Sequence, residues 1–317
     1  MMKTACMLLV IGFMVFLGMP HCHGGERPPE FYRREMIELI KELHRYAEGK
    51  HAGFGVIPNG GVSLYLPEDE GMTYDLEGLL GSIDGVLAES VFYGADLVDN
   101  KETPKETTNY FLRALEVPKK RGLPVFSIDY CSDGKTREAS REKNRRAGFL
   151  WFAAPHRALD IIPEEARPGE TKDFLVLLNP SAYGTREKFL RRLRESDYDF
   201  FIIDPYFGEE PWREEELELL RKKPGGGRRL IYAYMSVGEA ENYRGYWKEA
   251  WNRALPDWMA GGNEDWPGSY RVRYWRQEWK DILYGSPDSC LDRILGAGFD
   301  GVFLDVVDVF HYFEENE

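Results

Sequence analysis

The chain has 317 residues, 43% of them hydrophobic and 30% charged, with 32 glycines and 18 prolines. This globular composition suits one large domain or two small ones, and it argues against disorder, a collagen-like chain and a multi-span membrane protein. Basic residues number 41 and acidic ones 54, a net charge of −13, so the positive surface that nucleic-acid backbones demand is not expected.

At the N-terminus, Lys3 precedes an apolar run over residues 5–19, followed by Pro20 and small residues at Gly24 and Gly25. The pattern is that of a secretory signal peptide, and the run is short for a membrane span. The sequence thus divides into a leader, 1–24, and a body, 25–317, of about 293 residues. Cleavage leaves no stable membrane span and directs the product outside the cell or to its envelope; an uncleaved anchor is the competing reading. Of the four cysteines, Cys131 and Cys290 stay in the body. They are too few for a disulfide scaffold, and two buried thiols are expected.

The first element of the body is an amphipathic helical pattern over 29–47, with no strand before it. Short apolar runs then recur at 53–58, 85–92, 124–130, 148–154, 173–178, 199–204, 229–235 and 301–307. Near-continuous runs of this kind suit parallel strands covered on both faces. Helical patterns fall between most of them, at 105–121, 136–146, 185–195, 214–222 and 287–296. Eight strands with intervening helices predict an α/β fold, a (β/α)8 TIM barrel, as a single domain. The last strand has little chain left for a closing helix. In a closed barrel the helix at 29–47 can cover that junction, as in a circular permutation; an ordinary barrel with an extra first helix is the alternative. Two strands echo each other: DGVLAE (84–89) and DGVFLD (300–305) each place a carboxylate five residues after an Asp-Gly turn.

Barrel enzymes draw catalytic groups from the C-terminal ends of several strands. The candidates there are Asn59, Glu89, Asp129, Asp204, Glu239, Asp305 and Asp308. No histidine cluster has metal-ligand spacing, and HExxH, GxSxG and CxxC are absent. Gly225–Gly227 lacks the Lys-Ser/Thr of a phosphate loop. No metal and no cofactor are expected. Carboxylates without such partners are the groups of glycoside hydrolysis, where one acid protonates the leaving oxygen and another attacks the anomeric carbon or activates water. The strands of Glu89 and Asp305 flank the first strand and belong to one alternate-strand set, which makes them the catalytic pair: Asp305 as nucleophile or base, Glu89 as general acid. Six tryptophans between 247 and 279 could line a saccharide groove, although most are expected to pack the loop. The expected partner is a polysaccharide or oligosaccharide; a non-catalytic polysaccharide-binding barrel is the alternative.

The strings SVGEAE (236–241), YW (246–247), PDW (256–258), VRYW (272–275) and GFDGVFLDVVD (298–308) resemble the endo-α-1,4-polygalactosaminidase-type proteins, glycoside hydrolase family 114 and its relatives. The likeness extends to 84–93, 124–130 and 148–160. It implies a retaining-type glycosidase with Asp305 and Glu89 as its acidic pair, acting on a galactosamine polymer. It also implies that Asp204, Glu239, Asp129, Asp308, Asn59, Tyr206, Tyr93 and Trp275 line the substrate site. The order differs from the family's. Residues 29–162 resemble its C-terminal half and 173–317 its N-terminal half, which implies a permutation with its joint at 163–172.

Overall fold

In a computed structural model, residues 27–163 and 174–317 are described. The leader assigned to 1–24 and most of the joint at 163–172 lie outside the described residues. The fold is α/β and built on parallel strands. Eight of them fall where apolar runs were expected: β1 (Gly55–Pro58), β2 (Val86–Glu89), β3 (Val125–Tyr130), β4 (Leu150–Ala154), β5 (Phe174–Leu177), β6 (Phe200–Ile203), β7 (Leu230–Ser236) and β8 (Gly301–Asp305). Helix α1 (Pro29–Lys50) precedes β1, α2 (Leu76–Leu80) precedes β2, α3 (Lys105–Lys120) precedes β3, and α4 (Gly134–Ala147) precedes β4.

One parallel sheet runs in the order β1, β8, β7, β6, β5, and a second in the order β2, β3, β4. A parallel bridge between Asn59 and Leu87 joins them, together with bonds from Asp84 N to Val56 O and from Gly60 N to Leu87 O. Among the described residues the ladder does not close into a barrel. No strand pairing joins β4 to β5 among the described residues; there Leu178 N donates to Leu159 O at 2.9 Å. Ring contacts nevertheless cross between the sheets. Phe126 of β3 lies 5.0 Å from Phe174 of β5 and 5.3 Å from Phe200 of β6. Both sheets therefore share one aromatic interior at the N-terminal ends of the strands.

The two echoing strands have a common construction. Asp84 Oδ2 accepts the amide of Val56 at 2.8 Å, and Asp300 Oδ2 accepts that of Ile231 at 2.8 Å. Each aspartate ties the start of its strand to the neighbour before it. Each strand then ends on an acid followed by a left-handed residue, Ser90 (φ 53°) or Val306 (φ 59°). The expected run to 307 thus stops at Asp305. A short helix, α5 (Phe310–Asn316), follows it in the little chain that is left.

The beginning and end of the described chain meet. β8 pairs in parallel with β1 from Gly55↔Gly301 to Pro58↔Leu304. The Arg33 side chain, 3% exposed, reaches Glu314 with Nε at 2.5 Å, and its guanidinium lies 5.2 Å from the Phe310 ring centroid. Cys131 and Cys290 are free thiols.

Arg33→Met should lower stability by about 1.5–3 kcal/mol at pH 7 in urea unfolding, because it removes the charge-assisted pair from the half-buried Glu314 carboxylate, to which His311 stays bonded at 3.0 Å. Burial alone would raise the Glu314 carboxyl, but His311 and Arg33 hold it below its ordinary value of 4.5. A depressed acid stabilises the fold above its unfolded value and loses that contribution as pH falls through the folded one. The gap between the two proteins should therefore shrink below pH 4.5; a gap independent of pH would assign the effect to packing alone.

Candidate active site

Side chains alternate across a strand, so the ends of β8, β1, β2 and β3 present Asp305, Asn59, Glu89 and Tyr130 to the same interior. Asn59, 1% exposed, sits between the two acids, which are 1% (Asp305) and 2% (Glu89) exposed. Its Nδ2 donates to Glu89 Oε1 at 2.8 Å and to Asp305 Oδ1 at 2.9 Å. The two N–H bonds of a planar amide diverge by about 120°, so these carboxylate oxygens lie about 5 Å apart. Tyr130 OH donates to the other Glu89 oxygen.

Burial pushes both acids upward. For Glu89 it is opposed by Tyr130, Asn59 and the charge of Arg157, and reinforced by Asp308. Asp305 is pushed well up by burial; the Asn59 bond opposes this, Glu89 adds to it, and the Tyr234 hydroxyl and the Val306 amide oppose it. Two buried carboxyls joined through one amide resist ionising together, which is the condition under which one holds a proton and the other a charge.

The turn after β7 closes the group from the other side. Val237 N donates to Asp305 O at 3.0 Å. Gly238 approaches the Val306 carbonyl so closely that any Cβ would collide with it. The next residue, Glu239, is buried, and its carboxylate accepts from Asn263 Nδ2 at 2.7 Å. Burial raises Glu239 to about 7, against Asn263 and Arg271, with Glu241 and Asp308 adding to the rise. Asp308 is half-buried and raised to about 6 by burial, with His311 opposing. Its carboxyl carbon lies 3.2 Å from where a Cβ on Gly60 would stand, next to Asn59. Asp308 thus stands beside Asn59, and its charge adds to the rise of Glu239.

The remaining candidates are placed differently. Asp129 is one residue out of phase with Ile128 and Tyr130 and turns outward to α4. There it accepts from Ser140 Oγ at 2.5 Å, Asn144 Nδ2 at 3.0 Å and the amides of Phe92 and Tyr93 at 3.0 and 3.1 Å. With its acceptor sites filled, it anchors the loop after Glu89. Both oxygens of Asp204 are held by Arg244, at 3.0 and 2.8 Å, and Arg244 Nε also donates to Glu241 at 2.8 Å. This buried triad fastens the chain after β7 to the end of β6. Tyr206 donates its amide to Asp204 at 2.9 Å and is half-buried. Tyr93 is half-buried with Lys143 Nζ 4.4 Å from its ring centroid. Trp275 packs among Phe31, Tyr32, Tyr274 and Phe313 at the α1–α5 junction, so its partners are core aromatics.

Sequence reading passed over Tyr130, Tyr234, Arg157, Asn263 and the Glu241–Arg244 pair as site residues. Tyr130 had a signal, since strand parity places it, and not Asp129, on the face of Glu89. Among the described residues, no group of three or more His, Cys, Asp or Glu is arranged to hold a metal ion.

The model of glycoside-hydrolase family GH114 matches residues 201–317, a segment that contains Asp305 and Glu239 but not Glu89. An uncharacterized protein of Methanocaldococcus jannaschii is 41% identical over 138 residues, 43% of this chain and 38% of its own length. One from Thermotoga maritima is 45% identical over 83 residues, 26% of this chain and 24% of its own. A third, from Deinococcus radiodurans, is 35% identical over 122 residues, 38% and 37%. The aligned segment therefore spans well under half of each of these relatives.

Glu239→Gln should stabilise the protein more at pH 8 than at pH 4. An acid raised in the folded state costs nothing below its unfolded value of 4.5 and costs progressively more until pH passes about 7. At about 1.4 kcal/mol per unit, the gain should reach at most about 3 kcal/mol. Thermal unfolding across this range checks it; a gain that does not grow with pH would remove the burial cost assigned to Glu239.

Proposed function

We propose that the protein is a secreted or cell-envelope glycoside hydrolase that cleaves an amino-sugar polysaccharide, galactosaminan-like, with Glu89 and Asp305 as its catalytic pair. The observation that carries this reading is the Asn59 amide bridging two buried carboxylates at the ends of strands flanking β1. Glu89 gives its proton to the glycosidic oxygen, and the breaking C–O bond leaves its electron pair there. Asp305 attacks the anomeric carbon, and the resulting ester is hydrolysed by water that Glu89, now a carboxylate, deprotonates. The spacing supports retention of configuration, for which carboxyl groups stand about 5–5.5 Å apart. The chain's net charge of −13, with Asp308 beside Asn59, supports a cationic sugar chain as substrate. Secretion rests on the leader pattern at the N-terminus; no helix among the described residues is long and apolar enough to cross a membrane.

The fold reading is a (β/α)8 barrel in circularly permuted order. It is supported by the β8–β1 ladder, by the Arg33–Glu314 clasp and by the family match falling in the second half of the chain. The depth at which both acids lie favours a second reading, a non-catalytic glycan-binding barrel.

Acetylated and deacetylated α-1,4-galactosaminans and glucosamine polymers are the substrates to offer, with products read by mass spectrometry and the new anomer by proton NMR. Cleavage of the galactosaminan with retention is expected. Asp305→Asn and Glu89→Gln should each lower the rate by about 10³-fold or more without unfolding. Binding of a polymer without product would select the second reading, and full activity in Asp305→Asn would remove that residue from the mechanism.

A further inference from the structure

Glu89 is held by more than the amide it shares with Asp305. Tyr130, one strand over, is fully buried and donates its hydroxyl to the Glu89 oxygen that Asn59 does not take. The Arg157 guanidinium, in the segment after β4, lies 3.9 Å from the Tyr130 ring centroid, close enough for a desolvated cation–π contact. Arg157 Nη2 in turn donates to the Gly94 carbonyl and to Ser90 Oγ, the latter at 3.3 Å, and Ser90 follows Glu89 directly. Ser90 Oγ donates to the same Gly94 carbonyl at 3.2 Å. Gly94 has φ +113°, and a Cβ there would press on Ser90 Oγ, Tyr130 and Arg157 together. The loop after β2 is thus folded back so that one phenol and one guanidinium meet the glutamate and the residue after it.

We infer that Tyr130 and Arg157 are positioning residues for Glu89, one fixing the carboxylate plane and both stabilising the anion left when the proton departs. This rests on the glycosidase reading and adds to it the device that lets a buried acid release its proton and take it back. In the first step the Glu89 O–H bond breaks toward the glycosidic oxygen, and the hydrogen bond from Tyr130 becomes charge-assisted as the carboxylate forms. In the second step water returns a proton to Glu89, and the bond relaxes. The other charged groups facing Glu89 are Asp305 at the end of β8 and Asp308 in the turn after it, both of which disfavour the anion. Asn59, just after β1, donates to the other Glu89 oxygen at 2.8 Å. The phenol and the guanidinium therefore oppose both burial and two neighbouring acids.

The test is the titration of the Glu89 carboxyl by carbon-13 NMR, its resonance identified with Glu89→Gln, together with the pH profile of kcat/KM on deacetylated galactosaminan. In Tyr130→Phe the Glu89 midpoint and the alkaline limb should move together to higher pH, with kcat at the wild-type optimum falling about tenfold. Arg157→Met should move both the same way, and Arg157→Lys, which keeps the charge, should restore them. Superimposable titrations in wild type and Tyr130→Phe, with Glu89→Gln inactive, would overturn the positioning role alone. Undiminished activity in Glu89→Gln would overturn the reading of the site and this inference with it.

Discussion

A single primary amide organises the centre of this molecule. Two carboxylates end adjacent-but-one strands with almost no exposure, and an unpartnered buried charge is costly by several kcal/mol. Asn59 resolves the conflict because its amide nitrogen carries two hydrogens in one plane, one for each acid. A serine could serve one acid only, and an aspartate would add a third. The requirement runs backward into the fold: Asn59 must lie between Glu89 and Asp305, so β1 must lie between β2 and β8. The β1–β8 ladder and the bridge from Asn59 to Leu87 meet that condition.

Holding this arrangement costs backbone strain at both acids. Ser90 and Val306 take left-handed conformations immediately after Glu89 and Asp305. A β-branched residue there costs on the order of 1–3 kcal/mol and persists only when its surroundings over-determine it. The surroundings are particular glycines: Gly238 lets the turn after β7 rest on the Val306 carbonyl, and Gly94 admits Arg157 beside Ser90. The strain is thus local to the strand ends, while the N-terminal ends are packed by unstrained aromatics such as Phe126, Phe174 and Phe200. Stability lies at one end of the strands and the strained acids at the other, as expected where a site asks for geometry that packing alone would not choose.

Much of this was legible in the residues. The strands are buried on both faces, so each reads as a continuous apolar run, and all eight fall within or against the expected spans. The echo DGVLAE and DGVFLD marked Glu89 and Asp305 because the Asp-Gly turn that ties each strand to its neighbour fixes the distance to the acid at its end. What apolar runs cannot carry is phase. In a strand buried on both faces an inward and an outward position look alike, which is why Asp129 read as a site residue while its neighbour Tyr130 holds the glutamate. Ion pairs between distant segments were equally hidden: nothing local says that Arg244 will take both oxygens of Asp204. Trp275 shows the same limit for aromatics: the resemblance implied a place in the substrate site, while its half-buried ring packs on Phe31, Tyr32 and Phe313.

The two acids bridged by Asn59 are also divided along the chain. Asp305 lies in 174–317, together with Glu239 and the family match, whereas Glu89, Asn59, Tyr130 and Arg157 all lie in 27–163. Neither segment holds both acids, and the amide that joins them crosses from one segment to the other. The clasp of Arg33 on Glu314 and the pairing of β1 with β8 therefore do more than close the chain on itself. They set the distance between the two acids, because the strand carrying Asn59 is the one on which both segments meet. A shift of β1 against β8 by a single residue would turn Asn59 to the outer face and leave two buried carboxylates without their shared donor. The register of that one parallel pairing is consequently the constraint through which folding and the proposed chemistry are coupled.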